Sequence, residues 1–198
     1  FGVLKDKYTY YMKKIAITGH TQGIGKAVVD LCKHDYEILG FSRATGHNLL
    51  KPGVVERIFE EAKDCDIFIN NAFSTDAQMK LFDLFYNHWK DDVTKFIINV
   101  NSKNRFRAGD GSFGDNGYAA VKALLHKQWI DVLHESGRLC KISNISPGFV
   151  DTYLISHFSV PEWLKQPPEE CAETIMWLIN QPDNVEIGEV SYWRRKAQ

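Results

Sequence analysis

The chain has 198 residues, with 24 Lys and Arg against 25 Asp and Glu, a formal net charge of −1 and 44% apolar residues. That length and composition suit one globular domain with a sizeable core. The near-zero charge excludes a protein that coats nucleic acid with a basic surface, and no run approaches the roughly 18 apolar residues of a membrane span. Residues 1–12 read as an N-terminal extension: Lys5, Asp6 and Lys7 interrupt any signal-peptide core, and Met12-Lys13-Lys14 resembles a start before a strand. From residue 13 to 198 the pattern is one domain. Lys14–Thr18 is a short buried strand, followed by a glycine-rich turn and a helix over Gly25–Lys33 with Ile24, Val28, Val29, Leu31 and Cys32 inward. Tyr36–Phe41 is a second strand, and Val54, Ile58 and Ala62 mark one face of a helix over 53–63. Strands follow at Asp66–Asn70 and Phe96–Val100, separated by a helix over 77–90 whose stripe Met79, Phe82, Phe85, Tyr86 and Trp89 reads as core or subunit interface. A helix over Gly117–Ser136 stops at Gly137, then come a strand at 139–145, a helix at 168–180 and a last strand around Val185–Ser191. Such alternation predicts an α/β fold, a single doubly wound, Rossmann-like parallel sheet covered by helices in three layers.

The four cysteines (Cys32, Cys65, Cys140, Cys171) are scattered and form no C-x-x-C pair, so they read as reduced, mostly buried thiols of a cytoplasmic protein. The histidines form no metal-ligand spacing, and no Gly-x-Ser-x-Gly elbow marks a hydrolase. The turn after the first strand is Gly19-His20-Thr21-Gln22-Gly23-Ile24-Gly25. Glycines there let the backbone turn sharply and approach a diphosphate, which the following helix N-terminus would hold with unpaired N–H groups. By itself the turn reads equally as a nucleotide site or a plain tight turn.

Further along stand Asn70-Asn71-Ala72, Ser102 after a strand, Tyr118-Ala119-Ala120-Val121-Lys122, and Ser146-Pro147-Gly148-Phe149-Val150-Asp151-Thr152. Glu170-Cys171-Ala172 and Trp177-Leu178 precede a last strand. With the glycine turn, these resemble the short-chain dehydrogenase/reductase family in order and in placement, over residues 13–193, as a shortened member with Asn70-Asn71-Ala72 ending a fourth strand. The resemblance implies a catalytic Ser102, Tyr118 and Lys122. It implies cofactor contacts from Gly19, His20, Thr21, Gln22, Gly23, Ile24, Gly25, Asn71, Ala72, Tyr118, Lys122, Pro147, Gly148, Val150 and Thr152.

The chemistry of the pair stands on spacing as well. Tyr118 and Lys122 share a helix face, and a cation about 5 Å away at an effective dielectric of ~20 favours phenolate by roughly 3 kcal/mol, about two pK units. At the end of the second strand, Ser42 and Arg43 supply a hydroxyl and a guanidinium where an NAD-selecting carboxylate would stand, which favours NADP(H) with NAD(H) as the alternative. The resemblance also makes Asn48 and Leu49 candidate adenine contacts, with His47 near them. Asn104 and Arg105 are alternative polar contributors beside Ser102, and residues 103–117 should loop over the site.

The stretch from Asn71 to Ser102 is some two dozen residues shorter than the family's. Its helix asparagine, which supports the lysine through water, has no clear counterpart, Asn87 being the only candidate. Phe73 replaces a glycine and should crowd the cofactor side of the turn. The reading is therefore an NADP(H)-dependent oxidoreductase interconverting a small-molecule carbonyl and alcohol. The alternative is a non-catalytic dinucleotide-binding or redox-sensing protein, and a nucleotide-sugar epimerase is disfavoured by the small C-terminal region. Tyr153, Phe158 and Trp163 suggest an aromatic lid over 152–168. The family implies a homodimer or homotetramer, a state the shortened region leaves open. No nucleic acid, membrane or metal enters the reading.

Overall fold

The computed structural model describes residues 11–107 and 117–196, so the greater part of the expected N-terminal extension and of the loop before Tyr118 lies outside the described residues. In chain order the elements are β1 (Lys14–Thr18), α1 (Gly23–Cys32), β2 (Glu37–Phe41), α2 (Val54–Ala62), β3 (Ile67–Asn70), α3 (Ala77–Trp89) and β4 (Phe96–Val100). Then follow α4 (Tyr118–Leu133), β5 (Lys141–Pro147), β6 (Phe149–Val150), β7 (Lys165–Gln166), α5 (Pro168–Ile179) and β8 (Glu189–Tyr192). Six strands form one sheet in the order β2-β1-β3-β4-β5-β8, every pair parallel. Asn70-Asn71-Ala72 was expected to end a fourth strand; here Asn70 ends β3, the third strand, which pairs directly with β1. β6 and β7 make a separate two-residue parallel ribbon at the start and end of the lid segment.

Strand periodicity decides the layers. Ile15, Ile17, Ile67, Ile69 and Ile98 face α1 and α5, meeting Val28, Cys32, Ala172, Ile175 and Leu178. Ala16, Phe68, Ile97 and Ile142 face α2, α3 and α4, meeting Ile58, Phe85, Trp89, Leu125 and Trp129. Both faces being apolar, the strands read as continuous hydrophobic runs, as buried parallel strands must. The α3 stripe belongs to this core: Phe82, Phe85, Tyr86 and Trp89 are buried, and Phe85 stacks on Phe68 with centroids 3.8 Å apart. All four cysteines are buried and free, their thiols pushed up to about 11 chiefly by burial.

Several element ends shift by a few residues, β5 spanning Lys141–Pro147 and not 139–145, and three differences have a plain physical reason. Leu31 is exposed, because the buried stripe of α1 runs through Ala27, Val28 and Cys32 and Leu31 lies about 100° round from Cys32. α4 ends at Leu133, not Ser136, and the chain turns before reaching Gly137 at φ +91°. The last strand begins at Glu189, not 185. Its forerunner Glu186 instead accepts the Ile142 N–H at 2.7 Å through its carboxylate and pairs with Arg138. Among the described residues no helix is long and apolar enough to cross a membrane.

Candidate active site

The chain runs from β1 to β2 on one side of β1 and then returns to β3 on the other, so the turn after β1 sits at the switch point where open α/β sheets bind ligands. A cleft of about 850 Å³ opens there, along the carboxyl ends of β1 to β5. Gly19 begins the turn at φ +75°, its N–H bonded to the Phe41 carbonyl at 2.7 Å. Gly25, inside α1, lets the helix touch the turn: a Cβ there would lie 2.3 Å from the Gly19 carbonyl oxygen and 2.9 Å from Asn71 Nδ2. Asn71 braces the same turn, donating from Nδ2 to the Thr18 carbonyl, while Thr18 Oγ1 accepts from the N–H groups of Asn71 and Ala72 at 3.0 and 2.9 Å. Gln22 precedes α1 without capping it, and the first turn carries no acidic residue. The helix thus keeps unpaired N–H groups and a positive dipole end beside the cleft, a setting that fits a diphosphate.

Most of the residues singled out from sequence line this cleft: Gly19, Thr21, Gln22, Gly23, Ile24, Ser42, Arg43, Asn48, Leu49, Asn71, Ala72, Ser102, Tyr118, Lys122, Pro147, Gly148, Val150 and Thr152. Two do not. His20 lays its ring over β2, where a Cβ on Gly40 would meet it at 2.5 Å, and Gly25 is covered by the turn it supports. Arg43 is exposed at the rim, in a 3-10 turn (Arg43–Thr45) that Ser42 and Thr45 cap reciprocally.

At the other end, Ser102 and Tyr118 hydrogen-bond through their side chains. Asn104 also lines the cleft, and its N–H donates to Ser102 Oγ at 3.1 Å. Arg105 turns away. It is buried against Ser146 and pairs with Glu189 on β8, so it offers nothing to the cleft. Lys122 is buried and donates from Nζ to Gln78 Oε1 at 2.7 Å and to the Val100 carbonyl at 2.8 Å. Asn87 is exposed on α3 and plays no part. Phe73 lines the cleft, and its ring meets that of Tyr118 edge to face at 4.7 Å.

Electrostatics depart from expectation too. Burial pushes the Tyr118 phenol above its ordinary value, and the Ser102 hydrogen bond only partly opposes it. Lys122 does not pull the phenol down as the spacing suggested, because its ammonium is turned into the Gln78 and Val100 oxygens, 5.6 Å from the phenol ring centroid. Its own value is pushed down to about 7 by burial. Of the lid aromatics, Tyr153 and Phe158 line the cleft with Leu154 and Ile155, while Trp163 is exposed outside it. Among the described residues no His, Cys, Asp and Glu cluster could hold a metal ion.

Sequence reasoning missed Gln78 and a buried polar band formed by Asn70, Asn99, Asn101, Asn144 and Ser146 under the catalytic end of the sheet. Asn70 Nδ2 donates to Asn99 Oδ1 at 3.0 Å and to the Gln78 carbonyl at 2.8 Å. The available signal was the recurrence of asparagine inside otherwise apolar strands, where a buried amide is costly unless it finds hydrogen-bond partners.

No protein-family model matches the chain. An uncharacterized oxidoreductase of Staphylococcus aureus (strain MW2) is 28% identical over 96 residues, 48% of this chain and 40% of that relative. The chain thus matches about two fifths of the length of that curated relative. A 3-oxoacyl-[acyl-carrier-protein] reductase of Chlamydia pneumoniae is 25% identical over 226 aligned positions, 85% of this chain and 90% of the relative. Among solved structures, a short-chain dehydrogenase from Sphingobium yanoikuyae in complex with NADPH superposes with a TM-score of 0.69 at 16% identity, over 85% of each chain. At that identity the likeness is one of fold. The chain thus shares the fold of short-chain dehydrogenases and carries the motifs of that family in order on β1, β3, β4, α4 and β5, with a match to a reductase along most of its length.

Proposed function

We propose that the protein is an NADP(H)-dependent oxidoreductase that interconverts a carbonyl and an alcohol. The observation that carries this reading is the meeting of Ser102, Tyr118 and Lys122 in one cleft with an uncapped helix N-terminus and its glycine turn. The α1 N–H groups and the turn backbone would hold the diphosphate, Arg43 the 2′-phosphate, Asn48 and Leu49 the adenine, and Pro147 to Thr152 the nicotinamide end. A bound nicotinamide dinucleotide supplies the hydride. The chain supplies the proton and the orientation: Tyr118 Oη protonates the substrate oxygen, Ser102 Oγ steadies that oxygen by a hydrogen bond, and Lys122 holds ribose hydroxyls. The raised phenol suits this role in the reducing direction, since a neutral phenol is the form that donates. Phe73, Phe149, Leu154 and Ile155 make the substrate end apolar, which suits an uncharged carbonyl compound.

The second reading, a dinucleotide sensor without turnover, draws on the Phe73 ring packed against Tyr118. A panel of aldehydes and ketones followed by NADPH absorbance separates the two. We expect stoichiometric NADPH loss and alcohol formation with at least one apolar carbonyl, falling about 10²–10⁴-fold in Tyr118→Phe at unchanged NADPH affinity. NADPH binding without turnover across the panel would overturn the enzyme reading in favour of the sensor, and near-normal turnover by Tyr118→Phe would remove the tyrosine from the mechanism.

A further inference from the structure

Lys122 is a buried amine with an unusual set of partners. Two of the three N–H bonds of its ammonium go to neutral oxygens, Gln78 Oε1 at 2.7 Å and the Val100 carbonyl at 2.8 Å, and its side chain lines the cleft. The groups around it are Gln78 from α3, the Val100 carbonyl from β4, the Phe73 ring from the segment after β3 and Tyr118 on its own helix, both rings 5.6 Å away. Tyr118 is the one titratable side chain among these, and no carboxylate pairs with Lys122 among the described residues. Gln78 is fully buried near the start of α3, and its own orientation is fixed: Nε2 donates to the Asn70 carbonyl at 2.8 Å and the Val100 carbonyl at 3.2 Å. Turning the amide over would set its oxygen against two carbonyls, so Oε1 has to face the lysine.

We infer that Gln78 is a positioning residue for Lys122: locked by the ends of β3 and β4, its amide oxygen holds the buried ammonium so that the remaining N–H faces the cleft. It does so by direct contact. The role deepens the proposed function and rests on it as far as cofactor binding and turnover are concerned. A neutral acceptor suits the task. A carboxylate would pair with the ammonium and withdraw it from the ribose, whereas an amide orients it and leaves its charge available. Removing the acceptor disfavours the charged form, so the amine should lose its proton at lower pH, in the direction burial already drives it.

The test uses full-length protein carrying [13Cε]lysine, with the Lys122 signal identified by its loss in Lys122→Met. In the unliganded protein we expect Gln78→Met, similar in length but without an acceptor, to lower the Lys122 titration midpoint by about one pH unit, a tenfold change. Gln78→Asn keeps an amide but withdraws it by one methylene; it should move the midpoint the same way and serves where the Met variant does not fold. A midpoint unchanged in the folded variant overturns the inference. A double-mutant cycle on NADPH affinity adds a second reading. Gln78→Met should weaken NADPH several-fold in the native background and not at all beside Lys122→Met, whereas additive losses would mean that Gln78 only ties β3 to β4. Neither measurement needs turnover, so an inactive protein would defeat the proposed function while leaving Gln78 to be decided by titration.

Discussion

Arg43 stands at the cleft rim with its guanidinium in solvent, which sets its value as a cofactor selector. A charge-assisted contact to a 2′-phosphate is worth about 1.5–3 kcal/mol, and exposure keeps it near the lower figure, about a tenfold preference. Titration should therefore show NADPH binding about ten times more tightly than NADH at low salt, with Arg43→Ala erasing the difference and leaving NADH affinity unchanged. Equal affinities in the unmodified protein would return Arg43 to an ordinary loop residue. Much at this scale was legible because motif residues are tied to backbone geometry. Asn71 bonds the main chain of β1, and Ser102 and Tyr118 lie at strand and helix ends that their neighbours predict. The partners of Lys122 were not legible. Gln78 reaches it across 44 residues of chain, and its own spacing marks nothing. His20 misled because it lies between two turn residues that line the cleft, yet its ring packs on the neighbouring strand.

The glycine turn and α1 act as one element. Sequence reasoning gave Gly25 the task of clearing space for a diphosphate; in the fold it clears space for Gly19 and Asn71. Gly25→Val would force β-branched bulk into the Gly19 carbonyl and push the turn off the helix, so NADPH and NADH binding should both fall below detection by calorimetry while the far-UV spectrum keeps its α/β form. A folded Gly25→Val protein with normal NADPH affinity would place the ligand elsewhere. Core strands and the helices between them were readable from period and length, since both sheet faces are covered and each strand is a plain apolar run. Strand pairing was less so. The element pattern already placed Asp66–Asn70 third in chain order and only the resemblance made it a fourth strand, but nothing local marks its pairing with β1. The last strand was drawn too early because Val185 and Ile187 flank Glu186, whose carboxylate serves as a cap for the neighbouring strand and not as an outward polar position.

Across the whole molecule, the site is held against the stability of the fold. Lys122 is about 3.5 pK units below its unfolded value of 10.5 if it titrates near 7, so the unfolded chain binds more protons between those limits. Stability conferred at this position is therefore lowest below pH 7, where the folded protein carries the charged amine at full cost, and rises as pH climbs towards 10.5. That cost is on the order of 5 kcal/mol, offset in a Lys122→Met variant by about 1–3 kcal/mol for the stranded Gln78 oxygen. Lys122→Met should accordingly melt roughly 4–16 °C higher than the unmodified protein at pH 6, with the gap narrowing steadily to pH 9. A gap that is constant or widens with pH would contradict a desolvated lysine.

The bond between Arg105 and Glu189 spans 84 residues of chain, from the segment beside Ser102 to the edge strand β8. On a ribosome adding roughly 5–20 residues per second, Arg105 waits about 4–17 s before Glu189 is even made. For that interval the guanidinium has no carboxylate partner, and Ser146 on β5 is the one side chain of the sheet already made that it bonds. The wall of the cleft is thus assembled last, and a nascent chain that has already folded β1 to β4 is still without a working site.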